Sequence, residues 1–166
     1  MAQDLRLLGI ACHILSKFPR FSWMNLDHNI VNFAKSMNAQ IDMAVEAENL
    51  KRFQRNFKGI DNVIFPTPYL WNSDVLVEEY MDMKSLKHYI SSSKDLQLKR
   101  TLAEQGVHIF LKMLVKDNFC HSDLHVGNIH ITFLKDSNNE NIVQPCFVIL
   151  DAGLANSLTI QNRQNF

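Results

Sequence analysis

Residues 119–131 read FCHSDLHVGNIHI, with three histidines, one aspartate and one asparagine set between apolar segments. A helical pattern from about Leu96 to Lys116 leads in, its apolar stripe formed by Leu102, Ile109, Phe110, Met113 and Leu114. Two strand-forming segments lead out, NIHITFL and NIVQPCFVIL, joined by the turn-rich KDSNNE. The second strand ends in a loop that carries Asp151 and Gly153. Pairing of the two strands as a hairpin brings their outer ends to one sheet edge. Asp123, Asn128 and Asp151 then converge, although they are distant along the chain.

Two carboxylates and an amide oxygen are hard ligands. They suit Mg²⁺, which takes few protein ligands and binds nucleotide phosphates. The order D-x-x-x-x-N, strand, turn, strand, D-x-G is that of phosphotransfer in protein-kinase-like enzymes. Gly153 permits the backbone turn behind the second aspartate. Upstream, DVLVEEYM reads as a strand running into a polar and aromatic segment. In this order it is similar to a hinge between two kinase lobes, where backbone at Glu79 and Met81 meets an adenine edge.

The remaining chain reads as a further set of helices and extended segments. DLRLLGIACHILSKF has helical spacing at Leu7, Ile10, Ala11, Ile14 and Phe18, stopped by Pro19. A second helix is expected over about residues 27–57, with Met43, Leu50, Phe53 and Phe57 on one face. Glu46 lies on that apolar stripe, where a carboxylate needs water or a partner. NVIFPTPYL is extended because of its prolines. SLKHYI is a short helix capped by Ser85.

At 166 residues and 46% hydrophobic, the chain is long enough for one core and is not a disordered segment. Seventeen basic and seventeen acidic residues balance, so no general attraction to nucleic acid is expected. Cys12, Cys120 and Cys146 are far apart, which disfavours a zinc ribbon or dithiol centre. No apolar stretch approaches the ~20 residues of a membrane helix. The N-terminal segment is a poor secretory signal and no clear transit peptide.

The quoted residues resemble a family. FCHSDLHVGNIHI looks like the H-x-D-L-H-P-G-N loop of the UbiB/aarF-domain atypical kinases, which support ubiquinone biosynthesis. QIDMAVEAENLKRFQRNF is similar to that family's E-A-x-N helix, and VILDAGLA to its metal-aspartate loop in D-A-G form. The D-A-G form with NFKGIDNVIFPTP resembles the mitochondrial aarF-domain-containing kinase 2 branch. The likeness spans roughly residues 3 to 160. It implies an α+β, predominantly helical, protein-kinase-like (atypical) fold, truncated at both ends. Residues 1–80 would be a partial N-lobe and 81–166 a partial C-lobe. It implies ATP or ADP and Mg²⁺ as cofactors, a small-molecule or lipid substrate of the coenzyme Q pathway, and a mitochondrial location. Peripheral membrane association would belong to the longer parent protein.

By the same resemblance Asp123 is the catalytic-loop aspartate, Asn128 and Asp151 hold Mg²⁺, and Glu46 pairs with a nucleotide-orienting lysine. His125 stands where protein kinases usually have lysine; small-molecule phosphotransferases and the aarF family have histidine there. Val126 replaces the family's usual proline, and Ser122 offers no arginine to receive an activation-loop phosphate. The K-x-G-Q helix, the alanine-rich nucleotide loop and the strand lysine are absent. Lys35 lies on an expected helix and reads as a solvated lysine. The expected activity, ATP-dependent phosphotransfer or ATP hydrolysis, is therefore weak or absent in this chain. Alternatives are a non-catalytic nucleotide-binding or scaffold fragment, and a small-molecule kinase of the aminoglycoside or choline type. More remote are a zinc hydrolase using His121, Asp123 and His125, and a Cys120 nucleophile.

Overall fold

The computed structural model describes residues 2–18, 20, 22–136 and 139–159. The tip of the expected turn at 137–138, the side chain of Lys35, and residues 160–166 of the expected second lobe lie outside the described residues. Three helices come first: α1 (Ala2–Ser16), α2 (Leu26–Ile41) and α3 (Met43–Asn56). The single helix expected over 27–57 is thus two. Asp42 takes an extended conformation (φ −85°, ψ 100°) and its side chain accepts from the N–H of Ala44, capping α3. A carboxylate at a helix start satisfies an otherwise orphaned donor and complements the helix dipole.

The short strands β1 (Val63–Ile64), β2 (Pro68–Trp71), β3 (Leu76–Glu78) and β4 (Lys84–Ser85) follow, with β2 and β3 paired antiparallel. Ser85 caps α4 (Leu86–Ser92), as its sequence suggests. Asp95 caps α5 (Leu96–Leu111) by accepting from the N–H groups of Gln97 and Leu98 at 2.9 and 3.0 Å. A π-helical turn over Lys112–Lys116 ends the helix. Then come β5 (Cys120–His121), β6 (Ile129–Asp136), β7 (Asn139–Ile149) and β8 (Ala155–Asn156). The main sheet has the order β1-β7-β6-β4, and β5 pairs with β8.

The core forms where α3 meets this sheet and the loops below it. Phe53 is fully buried, stacked on Phe65 at 4.9 Å and tilted against Phe119 at 4.6 Å. Leu50, Met113, Ile131 and Ile149 complete the centre. Burying one such side chain contributes about 2–3 kcal/mol. In α5, Leu102 and Ile109 are buried as expected, but Phe110 is 42% exposed. It lines an apolar groove of about 650 Å³ with Ile90, Val107 and Ile129. The α1 stripe also faces outward, with Leu7 67% exposed. Among the described residues no helix is long and apolar enough to cross a membrane.

The β6–β7 register positions the site. Ile129 lies opposite Ile149 and Ile131 opposite Phe147. Just beyond, the Leu150 N–H donates to the Asn128 carbonyl at 2.9 Å. Asn128 and Asp151 therefore leave the hairpin side by side.

Candidate functional site

The loop between β5 and β6 is held by its own polar groups. The His121 ring is buried; its Nε2 lies 3.2 Å from the Leu150 carbonyl oxygen and its Nδ1 accepts from the Asp123 N–H. These partners require the proton on Nε2, and they occupy both nitrogens. His121 is a loop brace and not a zinc ligand. His125 Nδ1 accepts from the Gly127 N–H at 3.0 Å, and its exposed Nε2 stands 3.8 Å from Asp123 Oδ2. A β-carbon at Gly127 would come within 2.8 Å of the His125 ring, so the ring's position over the turn depends on glycine. Among the described residues no three His, Cys, Asp or Glu side chains form a metal-holding group. Two carboxylates and one amide fall outside that pattern.

Of those three residues, the side chains of Asn128 and Asp151 meet, and Asp123 joins them through its backbone carbonyl. Asn128 is buried, and its amide donates to the Asp123 carbonyl at 3.2 Å and to Asp151 Oδ2 at 3.4 Å. Asp151 is exposed and adopts φ 55°, in the left-handed region that non-glycine residues rarely occupy. Ala152 and Gly153 behind it are buried.

Glu46 faces this cluster from α3. Burial, then the charges of Asp151 and Glu78, push its carboxyl up from 4.5 to about 7, against a hydrogen bond from the Ala152 N–H. Among the described residues no lysine or arginine stands with the groups that act on it. Glu78, at the end of β3, is raised in the same direction by burial and then by Asp151. Its Oε2 is buried without a hydrogen-bond partner among the described residues. Three carboxylates thus repel one another around Asp151. This is the electrostatic setting that a divalent cation relieves, and the donor set of a few hard protein oxygens fits Mg²⁺.

Glu79 and Met81 lie on the segment leaving β3. The Glu79 N–H is committed to the Thr67 carbonyl at 2.9 Å, and its side chain accepts from the Thr67 N–H. Glu78 had no place in the sequence reading, although Leu76 facing inward puts Glu78 on the same side by the period of a strand. Asn49 was legible only as part of E-A-x-N. It lies one turn after Glu46, and its side chain reaches the Ala152 carbonyl.

Residues 1–166 match the ABC1 atypical kinase-like domain. A mitochondrial ABC1 family protein of Saccharomyces cerevisiae is 36% identical over 138 residues, which are 80% of this chain and 21% of the yeast protein. The probable protein kinase UbiB of Pseudomonas fluorescens is 27% identical over 167 residues, 98% of this chain and 30% of that one. The chain therefore spans less than a third of the length of either relative. Among solved structures, the Rio2 kinase of Chaetomium thermophilum, in its ADP/Mg²⁺–phosphoaspartate complex, superposes with a TM-score of 0.52 and 20% identity. The match covers 78% of this chain and 34% of the other, and it shows a protein-kinase-like fold.

Proposed function

This chain belongs to the ABC1 atypical kinase-like family, and from that premise we propose that it carries the Mg²⁺–nucleotide site of an ATP-dependent phosphotransferase or ATPase. Asn128 and Asp151 would hold the cation, and Asp123 would face the group that accepts or loses the phosphoryl. Magnesium would supply charge neutralisation on the phosphate oxygens. His125, on the exposed side of Asp123, is placed to interact with that carboxylate when protonated. Backbone at Glu79 and Met81 would meet the adenine. Residues 1–80 and 81–166 would be parts of the two lobes on either side of the nucleotide.

The observation that carries this reading is the Leu150-to-Asn128 hydrogen bond, which sets Asp151 Oδ2 3.4 Å from the Asn128 amide. Glu46 is the residue that would pair with a nucleotide-orienting lysine. Among the described residues no such cation acts on it, and positioning is most of the catalytic effect in phosphoryl transfer. Turnover by this chain is therefore weak or nil, while binding remains. The names of the yeast relatives support a mitochondrial location, and the resemblance to the UbiB/aarF family supports a role in ubiquinone metabolism, for the longer parent protein.

Calorimetric titration with Mg²⁺–ADP tests the reading on the wild type and Asp151→Ala. Binding by the wild type and its loss in the variant are expected. Equal affinity in the two proteins defeats the assignment, and no binding by the wild type leaves the chain a scaffold.

A further inference from the structure

Asn49 sits three residues after Glu46, so the two side chains lie one above the other on α3. The Asn49 amide donates to the Ala152 carbonyl at 2.8 Å. The N–H of the same alanine lies near the Glu46 carboxylate and favours its charged form. The carbonyl of this fully buried residue is thus held from α3 by Asn49. Asn49 thereby fixes the peptide plane between 152 and 153.

Asp151 precedes that clamp. Its left-handed backbone costs a residue with a β-carbon about 1 kcal/mol or more, and such a conformation persists only where its surroundings over-determine it. Before Asp151, Leu150 is tied at both ends: its N–H donates to Asn128 and its carbonyl meets His121 Nε2. After Asp151, the Ala152 carbonyl is tied by Asn49. Removing the Asn49 bond frees the Ala152–Gly153 plane, and glycine offers the least resistance to its rotation.

We infer that Asn49 is a positioning residue, whose hydrogen bond to the Ala152 carbonyl holds Asp151 in its left-handed conformation beside Asn128. Its consequence for cation affinity rests on the metal reading above. A plain staple between helix and loop would contribute stability alone. A positioning residue also sets the backbone at 151 and, through it, the ligand geometry.

The test uses this chain with Asn49→Asp, which keeps the volume and loses the donor, and Asn49→Leu. The first readout is the intraresidue Hα–N–H nuclear Overhauser cross-peak of Asp151 in metal-free protein, strong only for a left-handed residue. The second is Mn²⁺–ADP affinity by electron paramagnetic resonance. A strong cross-peak in the wild type, a weak one in both variants, and an affinity about tenfold lower are expected. A cross-peak that stays strong in both variants overturns the inference, whatever happens to the melting temperature. Failure of the wild type to take up Mn²⁺–ADP defeats the metal reading separately, and the cross-peak still decides the role of Asn49.

Discussion

Glu46 makes the folded chain less stable as it ionises, and Glu46→Gln should remove that penalty. In the unfolded chain the carboxyl titrates near its ordinary value of 4.5, and in the fold near 7. Between those values the folded state binds more protons than the unfolded one. Stability is then full below about pH 4.5 and falls as the pH rises through 7. The difference corresponds to about 3 kcal/mol at roughly 1.4 kcal/mol per pH unit. Solvent screening of a half-buried group reduces this to about 1–2 kcal/mol. Glutamine keeps an oxygen to accept the Ala152 N–H and carries no charge towards Asp151 and Glu78. Urea unfolding of metal-free protein from pH 4.5 to 8 should show the variant more stable than the wild type by about 1–2 kcal/mol at pH 8 and nearly equal at pH 4.5. A difference that does not change with pH, or a wild type favoured at pH 8, would refute the reasoning.

The Lys112–Asp117 pair, 2.6 Å apart with both side chains largely buried, also lets Lys112 donate to the Asn56 carbonyl at the end of α3. Lys112→Met should cost about 3 kcal/mol by leaving Asp117 uncompensated, and thermal melting alongside the double variant with Asp117→Asn should recover part of the loss. Phe53→Ala empties the centre of the stack with Phe65 and Phe119 and should cost about 3–5 kcal/mol. A loss under about 1 kcal/mol in urea unfolding would mean that the aromatic stack is not the core's anchor.

The hairpin and the site it positions were legible because strand period and turn chemistry are local. NIHITFL and NIVQPCFVIL announce their pairing, and the pairing alone brings Asn128 to Asp151. The break at Asp42 was hidden because an aspartate on the polar side of a helical pattern looks the same whether it continues one helix or caps the next. Phe110 follows Ile109 at the margin of the α5 stripe, where a residue's burial depends on a neighbouring element that periodicity does not supply. The α1 stripe shows the same limit: spacing predicts an apolar face, but not what it packs against. Glu78 was passed over because a charged residue at a strand end reads as solvated. Its neighbours across the fold, Asp151 and Glu46, are what make it unusual, and they lie 73 and 32 residues away in sequence. Asn49 acts across 103 residues through one hydrogen bond, a contact that no local pattern encodes.

On the proposed function, Asn128 and Asp151 hold one divalent cation beneath a nucleotide, with Asp123 beside it. Adding substoichiometric Mn²⁺ with ADP to isotope-labelled wild-type protein tests it directly, because the ion erases nearby resonances first. The backbone signals of Asp123, Asn128 and Asp151, and the side-chain amide of Asn128, should vanish before all others. Early loss confined to surface acids such as Glu48 or Glu104, with those three sets of signals intact, would contradict it.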